Sequence, residues 1–210
     1  MSRLLPRPVP GHTQATFPAM GRPRQFVPAE ALRDALAVFW EKGYQATSLD
    51  DLTAAMHLSR SSFYACFGSK HAVMMAAVEL YANELFARLV ALAASSIPAV
   101  ESIHAVLAAI AEVDAGPHGC FFVNSVTELA PHDAALAAFS QHHVARTGAL
   151  VIGLLERAGF SPETAHTRAA ALLALVMGTI TLRKAGLPVA ELRAILSQAQ
   201  LLLADTTSAA

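Results

Sequence analysis

The sequence has few of the residues that define several common protein classes. Its two cysteines, Cys66 and Cys120, are too few for a disulfide framework and lack the paired spacing of a zinc site. Charged residues make up only 15% of the chain and hydrophobic residues 54%, which is typical of a folded protein. No stretch shows the sustained alternation of a β-strand. A chain of 210 residues with this composition is long enough for a small domain joined to a larger one.

Long apolar runs are also missing. The longest, about residues 169–182, is interrupted by Gly178, Thr179 and Thr181 and falls short of the ~20 residues that span a bilayer. The first 26 residues contain no continuous apolar segment of the kind found in a signal peptide. We therefore expect no membrane partner and a cytoplasmic location.

Charge is unevenly distributed along the chain. Residues 1–70 contain eight Lys and Arg against five acids, whereas the remaining residues contain seven against eleven. A basic surface on a mildly acidic body is typical of a protein that contacts a polyanion at one end. Residues 1–25, which are rich in Pro and Arg, are predicted to form a flexible basic arm.

Helical periodicity runs through the rest of the chain. Ser48 and Ser59 are placed to cap two short helices joined by a turn near residues 57–59. This is the arrangement of a helix-turn-helix, whose second helix can enter the DNA major groove. The fold class is therefore all-α, with about nine helices. They are predicted from Pro28 to about Gly43, from Ser48, from Arg60 to about Phe67, after Ser69 to about Ser95, and at residues 98–114, 119–130, 132–158, 162–185 and 188–204.

The outward side of the third helix carries side chains suited to DNA. Arg60 can donate two hydrogen bonds to guanine, while Ser61 and Ser62 can bond to bases or phosphates. Tyr64 and Lys70 suit phosphate oxygens, which fix the register of a protein on DNA without reading its sequence.

Residues 21–81 closely resemble the N-terminal domain of the TetR/AcrR family of transcriptional regulators. The resemblance implies a DNA-binding domain at residues 26–70 and a helical effector-binding and dimerisation domain at residues 71–210. It also implies a homodimer that usually represses transcription from an operator, which we expect to be an inverted repeat. The segments that carry it are Gly21-Arg22-Pro23-Arg24, Phe39-Trp40-Glu41-Lys42-Gly43-Tyr44, Thr47-Ser48, and Ser62-Phe63-Tyr64 with Phe67-Gly68-Ser69-Lys70.

The same resemblance assigns DNA contacts by position. Thr47 or Ser48 matches the phosphate-facing start of the second helix, and Arg22 and Arg24 could enter a minor groove. Where the family usually has Gly at the turn, this sequence has His57, so the backbone conformation there is left open. The full set of predicted DNA-binding residues is Arg22, Arg24, Thr47, Ser48, Arg60, Ser61, Ser62, Tyr64 and Lys70.

One segment of the larger domain carries recognisable chemistry. Residues 119–129, GCFFVNSVTEL, look like the sixth helix of a TetR subgroup, and helical spacing places Cys120, Asn124 and Glu128 on one face. Such a polar stripe either lines a cavity or faces solvent. We predict that Asn124 pairs with a small apolar or aromatic effector in only one conformational state. The candidate effector-binding residues are Cys120, Phe121, Asn124, Glu128, His142 and Met177.

Three alternatives stay open. Nine histidines, among them His118 and His142, could join Cys120 as ligands in a copper- or zinc-responsive repressor of the same fold. Adjacent His142 and His143 point about 100° apart and cannot readily bind one ion, so we assign no metal site and no cofactor. The others are a helical carrier of hydrophobic molecules and an enzyme pairing Cys120 with His118. We expect neither, and we assign no catalytic residue.

The last two predicted helices are apolar over too wide an arc for a lone surface helix. Gly178 and many Ala residues permit close helix approach. These features predict a four-helix interface between two copies of the chain, with an internal core as the alternative.

Overall fold

The computed structural model describes residues 28–204, and these residues contain no strand. The predicted all-α class is therefore confirmed. The helices are α1 Pro28–Lys42, α2 Leu49–Ala55, α3 Arg60–Phe67, α4 Lys70–Ala93, α5 Ala99–Ala111, α6 Phe121–Leu129, α7 Ala134–Arg157, α8 Pro162–Lys184, α9 Val189–Ser197 and α10 Ala199–Leu203, with a 3₁₀ turn at Ala130–His132.

Two helix boundaries differ from the sequence prediction for a local reason. α5 ends at Ala111 instead of near residue 114, because Glu112 adopts a left-handed backbone with φ +41°. The segment predicted as one helix over residues 188–204 is divided at Gln198 into α9 and α10. The Gln198 N–H bonds to the carbonyl of Ile195, three residues back, which tightens the chain there.

The first three helices pack around one aromatic residue. Phe63 of α3 is fully buried and shares a core with Phe39 of α1 and Leu52 of α2. The two serine caps lie where the sequence predicts them. Ser48 and Asp51 form a reciprocal capping box at α2, and the Ser59 hydroxyl accepts from the Ser62 N–H at α3 (3.1 Å).

The larger part of the chain is a helical bundle, and α4 connects this bundle to the first three helices. α4 packs against α1 on one side and against α5, α6 and α7 on the other. α7 lies along α8, and fully buried leucines such as Leu154 and Leu172 fill the space between helices. α8 is long and apolar enough to cross a membrane by length and composition alone. It packs against α5, α7, α9 and α10, and about a third of its apolar window is buried (33%).

The turn between α2 and α3 has an unusual backbone at the position left open above. His57 is exposed and has φ +54°, in the left-handed region. Its N–H bonds to the Ala54 carbonyl (3.3 Å), and the Leu58 N–H bonds to the Thr53 carbonyl (2.9 Å). This pair of bonds is a Schellman motif, which normally places Gly at the left-handed position. His57 therefore adopts a backbone conformation that usually requires glycine, although it carries a Cβ.

We expect His57→Gly to raise the free energy of unfolding by about 1 kcal/mol, because the left-handed region costs a residue with a Cβ roughly 1–2 kcal/mol. The greater freedom of Gly in the unfolded chain offsets part of that gain. His57→Val should lower the free energy of unfolding, since β-branched residues tolerate this region poorly. Urea unfolding followed by circular dichroism measures both changes.

Gly68→Ala is the reciprocal control. Gly68 has φ +76°, and a Cβ there would meet nothing within 4 Å, so any loss of stability comes from the backbone alone. A loss in His57→Gly would contradict the strain argument and show that the imidazole itself stabilises the turn.

Candidate functional site

The outward face of α3 presents its polar side chains to solvent. Ser61 and Ser62 are exposed, and Tyr64 is 54% exposed with its ring edge-on to Phe63. The Arg60 guanidinium makes a bidentate pair with Asp50 of α2, with Nη2–Oδ1 at 2.7 Å and Nη2–Oδ2 at 2.9 Å. Exposed ion pairs contribute little to stability. Arg60 can therefore exchange Asp50 for another planar acceptor at small cost.

Lys70 lies beside this face at the start of α4. Its Nζ is 4.3 Å from the centroid of the Tyr44 ring, a cation–π arrangement. Partial burial lowers the pKa of Lys70, and burial also raises the pKa of Tyr44, which stacks on Phe39. The aromatic ring thus holds the Lys70 ammonium at the edge of the α3 surface.

The two residues predicted at the start of α2 differ in exposure. Thr47 is buried, and its hydroxyl donates to the Gly43 carbonyl at 2.6 Å. Ser48 is exposed, and its hydroxyl donates to Asp51 at 2.7 Å. Of this pair, only Ser48 lies at the surface where a phosphate can approach. Arg22 and Arg24 lie outside the described residues.

A second feature is an apolar cavity of about 330 Å³ between α4, α5, α6, α7 and α8. Thr127, Val144 and Ala174 line it and are exposed, so they mark its opening to solvent. The volume lies in the range of small-molecule sites. Its walls include Leu85, Leu89, Ile110, Phe122, Val126 and Ile180.

The cavity contains two of the six residues predicted to bind an effector. Cys120 and Met177 line it. Phe121 does not, because its ring is buried against Trp40 and Tyr81, with centroids 6.1 Å and 5.7 Å away. Asn124 and Glu128 face other partners, as described below.

His142 is also outside the cavity. It is exposed on α7, and its neighbour His143 lines the cavity in its place, because successive helical residues point about 100° apart. The His143 Nδ1 accepts hydrogen bonds from Arg146 Nε (3.1 Å) and Nη2 (2.7 Å). Burial, with Arg146 and His142 nearby, lowers the pKa of His143 to about 4. Sequence spacing did not single out His143.

Glu128 joins α6 to the turn between α1 and α2. Its Oε2 accepts from the Tyr44 N–H (3.0 Å) and its Oε1 from the Gln45 N–H (2.9 Å). A Cβ at Gly43 would lie 3.2 Å from Glu128 Oε2, so the approach is close. The carboxylate thus holds the α1–α2 turn against α6.

Asn124 makes a second set of contacts on the same side of α6. Its amide donates to the His118 carbonyl (2.7 Å) and accepts from Lys184 Nζ (2.9 Å). Nearby, Trp40 Nε1 donates to the Gly119 carbonyl (3.2 Å). Both hydrogen-bonding ends of the Asn124 amide are occupied within the chain.

The metal alternative gains no support from the described residues. Across residues 28–204, no three His, Cys, Asp or Glu side chains converge where they could hold an ion. His118 is exposed, whereas Cys120 is buried with its Sγ 3.5 Å from the Tyr81 hydroxyl. The assignment of no metal stays a prediction.

Known proteins resemble both parts of the chain. A profile of bacterial regulatory proteins of the TetR family matches residues 31–77. The transcriptional repressor ComR of Escherichia coli (strain K12) is 35% identical over 129 residues, 60% of this chain and 61% of ComR. The uncharacterized transcriptional regulator YezE of Bacillus subtilis (strain 168) is 31% identical over 57% of this chain and 63% of YezE. The matches thus span less than two thirds of these relatives.

Solved structures cover more of the chain. The TetR-family regulator SCO4454 of Streptomyces coelicolor has a TM-score of 0.75 at 22% identity, covering 84% of this chain and 93% of that one. The TetR-family regulator CifR, a cysteine mutant complexed with 26-bp operator DNA, has a TM-score of 0.69 at 25% identity, covering 87% and 98%. Residues 31–77 thus match the TetR-family profile, and the helical fold described above is that of solved TetR-family regulators.

We expect Glu128→Gln to loosen the contact between α6 and the α1–α2 turn. An amide offers one oxygen without a full charge, so one of the two charge-assisted bonds is lost and the other weakens, at a cost of about 1 kcal/mol at this exposed position. Hydrogen exchange at the Tyr44 and Gln45 amides should then become several-fold faster. Glu163→Gln, on the exposed start of α8, is the control, and equal exchange rates in all three proteins would contradict the assignment.

Stability should fall as the pH decreases from about 6.5 to about 4. In this window His143 binds a proton in the unfolded state but not in the folded state, so acid favours unfolding. The free energy of unfolding should fall by up to roughly 3 kcal/mol. His143→Phe should remove that part of the slope, and His142→Phe should keep it. The difference between variants in urea unfolding at several pH values isolates His143 from carboxylates that titrate nearby. Identical slopes in wild type and His143→Phe would refute the buried neutral imidazole.

Proposed function

We propose that this protein is a DNA-binding transcriptional repressor that leaves its operator when a small, largely apolar molecule occupies the cavity. The observation that carries the proposal is the exposed polar face of α3 within a helix-turn-helix. Arg60 is assigned to base reading, and Ser61 and Ser62 to bases or phosphates. Tyr64, Ser48 and Lys70 are assigned to phosphates. The solved operator complex of CifR supports this assignment by analogy.

The proposed working unit is a homodimer. α8 carries exposed small residues at Ala170 and Gly178, eight residues apart and so on the same side of the helix. On α10, Leu201 is 67% exposed. Small side chains that permit close approach, next to exposed apolar ones, favour helix-to-helix contact with a second copy. Two copies would present two α3 helices to successive major grooves, about 34–36 Å apart or more.

The regulatory step is proposed to act through α6. One side of this helix lines the cavity with Phe122 and Val126, while the other side holds the α1–α2 turn through Glu128. An effector shifts the DNA-competent state only if it binds the two conformations with different affinity. We accordingly expect a soluble, cytoplasmic protein with no catalytic role and no resident cofactor.

DNA binding is tested with duplexes from the region upstream of the protein's own gene, by fluorescence anisotropy at several salt concentrations. Arg60→Ala should cost about 1–3 kcal/mol and relax the preference at one base position per half-site. Lys70→Ala should weaken binding to all sequences alike and reduce the salt slope by about one. Saturation should require two chains per inverted repeat.

Arg193→Ala is a matched control for Arg60→Ala. Arg193 of α9 also makes an exposed bidentate pair, with Asp114 at 2.8 Å and 3.0 Å, but far along the chain from α3. Its side chain is 64% exposed, against 65% for Arg60. Equal effects of the two substitutions would contradict the role of α3, and the absence of any salt-dependent DNA binding would overturn the proposed function.

A further inference from the structure

The cavity has one strong hydrogen-bond donor that no protein group uses. His143 is 5% exposed, and its ring is surrounded by Phe122, Phe139 and Phe86, with centroids 4.5 Å, 6.3 Å and 6.4 Å away. Among residues 28–204, no group accepts a hydrogen bond from its Nε2. Because His143 lines the cavity, its Nε2 can donate to an acceptor supplied from the cavity.

Arg146 determines which ring nitrogen carries the proton. The guanidinium can only donate, so the Nδ1 that it contacts is an acceptor and carries no hydrogen. In the neutral ring the proton is therefore on Nε2, at the far edge of the ring. Arg146 itself is held by the Asn83 Oδ1 (2.8 Å) and by the Phe86 ring (4.4 Å), so the imidazole is fixed from behind.

The other polar groups of the cavity are already engaged as donors. The Thr147 hydroxyl donates to the His143 carbonyl (2.9 Å), and the Thr127 hydroxyl donates to the Val123 carbonyl (3.0 Å). The Cys120 Sγ lies 3.5 Å from the Tyr81 hydroxyl. His143 Nε2–H is thus the one unpaired strong donor among the cavity residues described.

We infer that the cavity binds a neutral molecule with an apolar body and one acceptor oxygen, such as a ketone, ester or ether, and that this oxygen accepts from His143 Nε2–H. The inference rests on the proposed function in one respect: the ligand regulates DNA binding only if the cavity is the effector site. Binding itself can be measured without DNA.

Charged ligands fit the same geometry poorly. An anion would gain only one neutral N–H donor from His143, because a cationic ring requires a proton on Nδ1 at the expense of both bonds from Arg146. A cation would face the Nε2–H donor and apolar walls with no carboxylate lining the cavity among the described residues. Burying an unpaired charge in such a site is strongly unfavourable.

The volume also limits the size of the ligand. About 330 Å³ equals the share of roughly eleven waters in the liquid, so a ligand of on the order of ten to fifteen non-hydrogen atoms fills it. Thr127, Val144 and Ala174 provide an opening on one side. A single aromatic ring with short substituents is the simplest body of this size.

The test uses three probes that share one skeleton and differ only in the polar group: para-ethylacetophenone, its hydrocarbon isostere para-ethyl-α-methylstyrene, and para-ethylbenzoate. Titration calorimetry at neutral pH should show the ketone binding roughly two- to tenfold more tightly than the styrene, the effect of one neutral hydrogen bond. The benzoate should bind on the order of a hundredfold more weakly than the ketone, or not measurably.

Two variants localise the effect. His143→Phe keeps a ring in the same place but removes the donor, so the ketone and the styrene should then bind equally. His142→Phe is the same change one residue away on the exposed side of α7, and it should retain the preference for the ketone. In wild-type protein with ¹⁵N-labelled histidine, the ketone should shift the His143 Nε2 resonance and leave Nδ1 almost unchanged.

The outcomes separate this inference from the proposed function. No ketone binding by the wild type, equal affinity for ketone and styrene, a preference for the benzoate, or a ketone preference that survives in His143→Phe would each overturn the ligand class. The Nε2 resonance decides the matter if His143→Phe does not fold. Upstream-DNA binding, measured on the same samples, tests the repressor role alone, so its failure leaves the calorimetric result interpretable.

Discussion

The position of the α1–α2 turn depends on hydrogen bonds that hold α6 at both ends. Glu128 accepts two backbone N–H groups from the α1–α2 turn, and Trp40 donates to the carbonyl of Gly119 just before the helix. Backbone groups are rigid partners, so α6 cannot slide or rotate far without losing one of these bonds. Because α6 also lines the cavity, the shape of the cavity and the position of the turn are mechanically linked. The polar face of α6 therefore contacts the α1–α2 turn, and its apolar face lines the cavity.

α4 is a second link between the same two regions. It begins at Lys70, beside the α3 surface, and its residues Leu85 and Leu89 line the cavity. A helix of 24 residues is about 36 Å long, so one continuous helix reaches from the proposed DNA face to the cavity. His71 of α4 contacts the Asp133 cap of α7, with Nε2 2.5 Å from the carboxylate. This hydrogen bond is the main reason that the pKa of Asp133 is lowered. Two helices, α6 and α4, therefore join the cavity to the first three helices.

The sequence predicted the features that depend on local spacing. The caps at Ser48 and Ser59 follow from hydrogen-bond reach and helical period, and each lies as expected. The spacing of Asn124 and Glu128 on one face was also sound, yet period alone does not say which neighbour that face meets. The choice of His142 over His143 had the same defect, since an angle of about 100° separates solvent from cavity only once α7 is docked. Tertiary packing supplied what periodicity could not.

A single donor in an apolar cavity gives selectivity that apolar walls cannot give. Hydrophobic walls distinguish ligands weakly, by a small factor per methylene, whereas a buried polar group rejects ligands that leave it unpaired. The donor also fixes where the ligand lies. The His143 ring is 4.5 Å from the Phe122 ring of α6, so an oxygen bonded to Nε2 brings the body of the ligand against α6. The proposed donor on α7 therefore lies next to the helix whose opposite side binds the α1–α2 turn through Glu128.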